Sequence, residues 1–217
     1  MSRIRGKYPW YLPGRIYDFA LGGLLRGFRS RVAAEVGASG LYPWLDICCG
    51  TGSQFRNLTP GLGYDSAFGL DLNFNMVRYA AARTPGRPFV CGDAACLPFK
   101  AGSFRTVSVS FGLHEKSPAV RQMMMDEAKR LLAGDGRLVT VDFENPWNLK
   151  SSIGSLPTRV IERLAGGDHY RNCQKFLRRG GLRAFLRESG FVECSRRDIE
   201  AGSISIVVSR VGVPPSI

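Results

Sequence analysis

Residues 45–52 read Leu-Asp-Ile-Cys-Cys-Gly-Thr-Gly, an apolar run that ends in an acid and continues into a glycine-bearing turn. Gly50 and Gly52 allow the backbone to turn tightly and to approach a ligand, because a residue without Cβ tolerates both. Such a turn is typical of the first strand-to-helix loop of a doubly wound sheet, where nucleotide-like ligands bind. The stretch therefore predicts the first strand of an α/β fold and a ligand-binding loop.

Two further apolar runs also end in acids. Asp71 closes the run Phe-Gly-Leu-Asp, and it follows Gly52 at about the ~20-residue offset at which a Rossmann-type unit places a carboxylate on ribose hydroxyls. Asp93 follows the run Phe-Val-Cys-Gly. Because parallel strands end at the same edge of a sheet, we expect Asp46, Asp71 and Asp93 to lie along one edge.

The loop departs from the dinucleotide pattern Gly-x-Gly-x-x-Gly, because Phe55 occupies the position of the third glycine. Pyrophosphate binding requires the chain to pack closely against the helix N-terminus, so this departure argues against NAD and against a dehydrogenase. An adenosine that carries a charged amino-acid tail fits the motifs better. Such a ligand needs backbone groups, an acid for the ribose diol and a polar group at the adenine edge.

With these motifs the chain resembles the class I S-adenosylmethionine-dependent methyltransferases, and more narrowly the ubiquinone/menaquinone biosynthesis C-methyltransferase family. The resemblance runs through most of the chain, at residues 17–18, 45–52, 69–73, 92–99, 110–113, 130–139 and 185–191. Two departures concern the acceptor and not the cofactor. Arg105 stands where many relatives have Asp, and the family's Asn-rich, Trp-containing N-terminal segment is not reproduced.

The resemblance implies S-adenosyl-L-methionine as the cofactor and S-adenosyl-L-homocysteine as its product. Asp71 would bind the ribose diol or cap a helix. Asp46 would orient the first loop or reach the methionine part, with a loop-stabilising acid as the alternative. Asp93 and Ala94 would lie at the adenine edge, unless Asp93 is only a surface-loop acid, and Met76 would pack against adenosine or in the core. The predicted cofactor-binding residues are Asp46, Cys48, Gly50, Thr51, Gly52, Asp71, Leu72, Met76, Asp93, Ala94, Ser110 and Phe111.

The methyl group of this cofactor is already activated by the sulfonium, so the protein mainly has to align the reactants, which supplies ~7–11 kcal/mol of the barrier. His114 is the predicted general base, because it follows the fourth predicted strand; a helix-capping or loop role is the alternative. Glu115 could act in its place or hold a cation. Tyr17 would shape the acceptor side or pack in the core. His169 and Tyr170 are weaker candidates.

Strands that alternate with helices predict a Rossmann-like, doubly wound, mainly parallel sheet of seven strands with helices on both faces. Strands are expected near residues 45–48, 67–72, 88–92, 106–110, 137–143, 191–198 and 202–210. Helices are expected at 15–36, after the first strand, and at 74–83, 118–132 and 175–189.

Three segments define the expected domain organisation. Residues 1–40 form an N-terminal arm and amphipathic helix that cover the cofactor and substrate. Residues 41–217 form the methyltransferase domain. Residues 145–175, rich in Pro and Gly, are expected to be an irregular insertion that covers the substrate.

Composition limits the class of protein. The 217 residues suit one domain, and no apolar run reaches the ~18 residues that span a bilayer. Cys48 and Cys49 are adjacent and the six cysteines lack zinc-ligand spacing, so we predict small apolar fillers and no metal site. The formal net charge of +12 suits nucleic acid, an anionic membrane or acidic small molecules, or simply a solvated surface.

The favoured function is methyl transfer to a small hydrophobic acceptor, with a quinol ring carbon first. Alternatives are a phospholipid-headgroup or other small-molecule N/O-methyltransferase, an RNA methyltransferase, and a non-catalytic protein that binds the cofactor. Enzymes that methylate exocyclic base amines usually carry Asn/Asp-Pro-Pro-aromatic after strand four, whereas residues 110–113 read Ser-Phe-Gly-Leu, which disfavours nucleic acid. The basic arm and first helix favour a cytoplasmic protein that makes transient contact with the anionic inner face of a membrane.

Overall fold

The structure is a computed structural model that describes residues 27–37, 40–57, 66–145 and 167–212. Tyr17, the basic arm and residues 146–166 of the expected cover lie outside this part of the chain. Within it, seven strands form one sheet: β1 (Trp44–Ile47), β2 (Ala67–Asp71), β3 (Phe89–Cys91), β4 (Phe104–Ser110), β5 (Leu132–Phe143), β6 (Phe191–Ile199) and β7 (Ile204–Val211).

The strands are ordered β3-β2-β1-β4-β5-β7-β6 across the sheet. The first five are mutually parallel, and β7 runs antiparallel to both β5 and β6. This confirms the predicted doubly wound, mainly parallel sheet. The chain moves outward from β1 in one direction through β2 and β3, and in the other through β4 and β5. The carboxyl ends of β1 and β4 therefore border the crevice in which such folds bind ligands.

The helices of the described residues are α1 (residues 27–37), α2 (Phe74–Arg83), α3 (Pro118–Leu131), α4 (Gly167–Arg178) and α5 (Gly181–Glu188). Local side-chain capping marks the starts of α2 and α3. The Asn73 side chain accepts the Asn75 N–H at the start of α2, and Ser117 accepts the Val120 N–H at the start of α3. The helix expected after β1 is described only as a 3-10 turn at Phe55–Asn57, since residues 58–65 lie outside the described part.

The core is divided between the two faces of the sheet, because successive strand residues point to opposite sides. On one face Leu45 and Ile47 of β1 pack in the same cluster as Met124 of α3. On the other face Trp44 lies in a cluster with Phe28 of α1. This two-sided burial explains why the parallel strands read as nearly continuous apolar runs.

The late part of the chain differs from the sequence prediction. The single helix predicted over 175–189 is wrong, because α4 ends at Arg178 and α5 begins at Gly181. Gly180 and Gly181 adopt φ angles of 102° and 69°, and this left-handed backbone ends one helix before the next begins. Residues 167–175 of the expected irregular insertion are likewise helical, as the first part of α4. The fifth strand also begins earlier than predicted, because Phe104 pairs with Leu132 before a register shift.

Gly181 gives a direct test of how α5 packs on the end of β5. A Cβ at this position would lie 2.7 Å from the Asn145 nitrogen and 2.8 Å from the Glu144 Cα, in a left-handed backbone. We expect Gly181→Ala to lower the free energy of unfolding by about 2 kcal/mol or more. Gly134→Ala is the control, because its Cβ would meet nothing within 4 Å. Equal denaturant midpoints for the two variants would contradict this packing.

Candidate active site

The loop after β1 turns through three left-handed residues. Cys48, Gly50 and Gly52 have φ angles of 59°, 53° and 66°. A Cβ on Gly52 would lie 2.9 Å from the Ala80 Cβ and 3.0 Å from the Phe89 ring, so close packing on α2 and β3 requires glycine there. A Cβ on Gly50 would meet nothing within 4 Å. The loop therefore packs tightly on one side and leaves open space beside Gly50, where a ligand could approach the backbone.

Asp71, at the end of β2, holds this loop through its carboxylate. One oxygen accepts the Gly50 N–H and the other accepts the Asn73 N–H, each at 2.8 Å. Burial raises the pKa of Asp71, and the two backbone N–H groups act in the opposite direction. The helix-cap alternative for Asp71 is wrong, because Asn73 caps α2.

The geometry of Asp71 fits a ribose diol. A carboxylate offers about four lone-pair sites, and the two backbone bonds use one on each oxygen. One acceptor site per oxygen therefore remains for two vicinal hydroxyl donors, and charge-assisted hydrogen bonds of this kind are among the stronger ones in proteins. The ribose-binding role of Asp71 remains a prediction, and these contacts support it.

Asp46 lies completely buried in β1, at the centre of a polar network. Its Oδ1 accepts the Ser108 hydroxyl at 2.6 Å and is 3.4 Å from the Gln54 amide nitrogen. Trp44 also donates its indole N–H to the Ser108 oxygen at 2.8 Å. Burial raises the pKa of Asp46 to about 7, against the lowering effect of the Ser108 bond. Asp46 thus connects β1, β4 and the loop, which favours a loop-stabilising role; its reach to the methionine part remains a prediction.

The predicted adenine edge follows β3. Asp93 is exposed and its Oδ1 accepts the Ala95 N–H at 2.9 Å, while Ala94 is buried. Across the crevice edge, Leu72 is 41% exposed and Met76 is half-buried. These side chains follow the ends of β2 and β3, neighbouring strands of the sheet, as the sequence predicted, and their contacts with adenosine stay predictions.

The end of β4 completes the set of predicted cofactor-binding residues. Ser110 accepts the Gln54 amide N–H at 2.9 Å, so Gln54 connects the first loop to β4. Thr51 in that loop is buried. Phe111 has a φ of 56°, and its ring packs against Phe28 of α1 at 5.6 Å. Their roles toward the cofactor remain predictions.

His114 and Asp142 form a buried pair beside this crevice. His114 is 3% exposed, and its Nδ1 lies 2.7 Å from the Asp142 Oδ1. The other Asp142 oxygen accepts the N–H groups of Leu113 and His114 at 3.0 and 3.2 Å. Because the carboxylate only accepts, Nδ1 carries the shared hydrogen and Nε2 is the nitrogen that can exchange a proton. The helix-capping alternative for His114 is wrong, because Ser117 caps α3.

Glu115 follows His114 in the chain and lies beside His169, the second histidine. Its Oε1 pairs with Lys116 and its Oε2 lies 3.5 Å from the His169 Nδ1. The rings of His114 and His169 are 5.4 Å apart between centroids. Tyr170 is half-buried in α4. The structure therefore brings together His114, Glu115 and His169, the three predicted acid–base candidates with described contacts.

Sequence reasoning missed Asp142, Gln54 and Ser108. Asp142 ends the apolar run Leu-Val-Thr-Val at the end of β5, just as Asp46, Asp71 and Asp93 follow earlier strands. The same pattern would have identified it. Gln54 and Ser108 carry no comparable signal, because a polar residue in a loop or on a strand is common and only the folded geometry gives it a buried partner.

The described ranges contain neither a membrane-spanning helix nor a cluster of metal-ligating side chains. No helix there is long and apolar enough to cross a membrane. No group of three or more His, Cys, Asp or Glu side chains in those ranges is arranged to hold a metal ion. All six cysteines are free thiols, and Cys49 is buried in the apolar cluster that contains Trp44.

The chain is similar in sequence to known methyltransferases. Residues 45–136 match the methyltransferase-domain family. A demethylmenaquinone methyltransferase from Beutenbergia cavernae is 30% identical over 173 residues, which cover 75% of this chain and 70% of that protein. The ubiquinone/menaquinone biosynthesis C-methyltransferase UbiE from Syntrophotalea carbinolica is 27% identical over 220 residues, covering 94% and 90%.

A solved structure with the same fold contains the product of the expected cofactor. The N-methyltransferase NodS from Bradyrhizobium japonicum, in complex with S-adenosyl-L-homocysteine, superposes with a TM-score of 0.59. Its sequence is 14% identical, and the match covers 84% of this chain and 85% of that chain. At this identity the likeness concerns the fold alone.

The fold and the sequence matches identify a class I S-adenosylmethionine-dependent methyltransferase, an enzyme that uses this cofactor. The chain belongs to the family of the demethylmenaquinone and ubiquinone/menaquinone biosynthesis methyltransferases. The predicted fold, class of enzyme and cofactor are confirmed.

The contacts of Asp71 predict its contribution to cofactor affinity. We expect Asp71→Asn to raise the Kd for S-adenosylmethionine tenfold or more, because an amide cannot accept from the Gly50 N–H, the Asn73 N–H and two ribose hydroxyls together. Calorimetric titration measures the Kd, and thermal unfolding checks that the fold is retained. Asp126→Asn on the exposed side of α3 is the control. An unchanged Kd for Asp71→Asn would overturn the ribose assignment.

Proposed function

We propose that the enzyme methylates a ring carbon of a small hydrophobic acceptor of the quinol type. The observation that carries this proposal is the buried His114–Asp142 pair beside the cofactor loop. The relatives named for demethylmenaquinone and for ubiquinone/menaquinone C-methylation support the same acceptor class.

Methylation of a quinol ring carbon requires a base. When bound, the cofactor supplies an electrophilic methyl group. A ring carbon becomes a better nucleophile when the neighbouring hydroxyl loses its proton, and the carbon must later lose its own hydrogen. Asp142 fixes the His114 ring so that Nε2 faces away from the carboxylate. The His114 Nε2 would accept the proton of that hydroxyl, and the Asp142 carboxylate would stabilise the resulting imidazolium.

The surroundings of His114 suit an apolar aromatic acceptor. The Phe143 ring lies 4.5 Å from the His114 ring, and Phe111 packs 5.7 Å from Phe143. Aromatic side chains of this kind bind flat apolar rings and exclude water. Exclusion of water strengthens the His114–Asp142 interaction and protects the activated quinol.

The pair predicts the kinetic effect of its removal. We expect His114→Gln and Asp142→Asn to lower kcat ~10²–10⁴-fold while the Kd for S-adenosylmethionine changes less than about twofold, because the base acts after the cofactor is bound. Transfer of labelled methyl to a short-chain demethylmenaquinol under reducing conditions measures the rate. Phosphatidylethanolamine and RNA are the comparison acceptors. Methylation of one of those acceptors and not of the quinol would overturn the proposed function, and full activity of His114→Gln would remove His114 as the base.

A basic surface supports the proposed transient contact with an anionic membrane, in which such acceptors dissolve. Residues 167–188 carry six basic side chains and two acidic ones, and all of the basic ones are exposed. We call this surface the α4–α5 basic ridge; its members are Arg171, Lys175, Arg178, Arg179, Arg183 and Arg187. Arg171, Lys175 and Arg178 are three or four residues apart in α4, and Arg183 and Arg187 are four apart in α5, so they lie along one side of each helix. Each basic residue near an anionic bilayer contributes about 1 kcal/mol.

Vesicle binding tests this ridge. We expect sedimentation with vesicles that contain phosphatidylglycerol and none with phosphatidylcholine alone, because the attraction is electrostatic. The triple variant Lys175→Gln, Arg178→Gln, Arg183→Gln should weaken this binding about tenfold or more. A control triple variant with the same loss of charge, Arg78→Gln, Arg83→Gln, Lys100→Gln, changes exposed residues elsewhere. Equal weakening by the two variants would contradict a specific membrane-facing ridge.

A further inference from the structure

The second histidine of the chain lies beside the His114–Asp142 pair, and we propose that His169 and Glu115 carry the proton of each turnover from His114 to solvent. This inference rests on the proposed function, in which the His114 Nε2 takes a proton from the acceptor. It assigns a role to His169 in α4, for which the proposed function gives none.

Each turnover has to release one proton. A carbon–carbon bond forms between the acceptor ring and the methyl group, and the sulfur–methyl bond breaks with its electron pair left on sulfur. The neighbouring hydroxyl gives its proton to His114, and the ring hydrogen returns to that oxygen as the aromatic ring is restored. One proton per turnover, which carries the charge of the consumed sulfonium, therefore remains on His114. A base that keeps this proton is unavailable for the next turnover.

His114 cannot release the proton directly to water. Its side chain is 4% exposed and that of Asp142 is 0% exposed. His169 is 27% exposed and Glu115 is 31% exposed. The exposure therefore rises along the series His114, His169, Glu115, which is the direction that a proton leaving the site would follow.

The separations within the series suit stepwise transfer. The His114 and His169 rings are neighbours, 5.4 Å apart between centroids. The His169 Nδ1 lies 3.5 Å from the Glu115 Oε2. Lys116 pairs with the other oxygen, Oε1, which leaves Oε2 on the side of His169. His114 Nε2–H would pass its proton to His169, and His169 would pass it to the Glu115 carboxylate or to water.

Three hydrogen bonds fix α4 against the turn that carries His114 and Glu115. The Asn172 side chain donates to the Glu115 carbonyl at 3.0 Å. Arg121 donates to the Asn172 carbonyl at 3.0 Å and to the Lys116 carbonyl at 2.9 Å. Arg121 is 2% exposed, so these bonds form in a protected environment. They hold His169 beside Glu115.

Chemical rescue tests the relay in the full-length enzyme. We expect His169→Gln to lower kcat about tenfold with KM and the Kd for S-adenosylmethionine unchanged, because His169 acts through His114. Added imidazole should restore the rate of His169→Gln, since it can accept the proton in the space that the side chain vacates. Asp126→Asn is the control. An unchanged kcat, or a loss that imidazole does not restore, would overturn the relay.

Histidine NMR tests the same coupling without turnover. The chain has two histidines, so ¹⁵N-histidine labelling reports only His114 and His169. The charged groups around them are Asp142, Glu115, Lys116, Arg121, Asp168 and Arg171. We expect the titration of His114 to shift in His169→Gln and in Glu115→Gln, and to remain as in the wild type in Asp126→Asn.

Histidine NMR and the methyl-transfer assay with different acceptors together separate the failure of the relay from the failure of the proposed function. Coupled histidines in an enzyme that methylates another acceptor and not quinols would keep the relay and reject the quinol. Uncoupled histidines in an enzyme that methylates quinols would reject the relay and keep the quinol. Uncoupled histidines without quinol methylation would reject both.

Discussion

The reversal of strand order between β1 and β4 is the constraint on which the site depends. Because the chain leaves β1 toward β2 on one side and toward β5 on the other, the carboxyl ends of these strands border one crevice. The buried Asp46 accepts the Ser108 hydroxyl and lies near Gln54, so one carboxyl group connects both central strands to the loop. Gln54 also donates to the Ser110 hydroxyl of β4, so the loop and β4 share a second polar contact near the point where the order reverses.

On each side of the crevice, backbone N–H groups hold one aspartate in place. On the β2 side Asp71 accepts two backbone N–H groups, and on the β5 side Asp142 accepts three, those of Leu113, His114 and Phe143. Backbone donors hold each carboxylate in place, and each carboxylate can still act on another group. Asp71 has acceptor sites left for a ribose, and Asp142 orients an imidazole. The cofactor-binding side and the proton-transfer side of the crevice therefore both lie at the ends of parallel strands.

The sequence predicted the sheet and the cofactor edge because those features depend on local pattern. Apolar runs that end in Asp46, Asp71 and Asp93 mark strand ends, and Gly52 marks a turn that only glycine fits. The break between α4 and α5 was missed because the sequence does not show the backbone conformation of Gly180 and Gly181, which is left-handed in the structure. The pairing of His114 with Asp142 joins residues 28 positions apart, and only the parallel register of β4 and β5 brings them together.

The loop and Asp71 are expected to bind an adenosine that has no pyrophosphate. Phe55 replaces the third glycine, is 1% exposed and packs 4.9 Å from Trp44, so it fills the space that close helix packing would need. Calorimetric titration of the wild-type enzyme with S-adenosylmethionine, S-adenosyl-L-homocysteine and NAD tests this most directly. We expect saturable binding of the first two and none of NAD. Binding of NAD, or of none of the three, would contradict this assignment of the ligand.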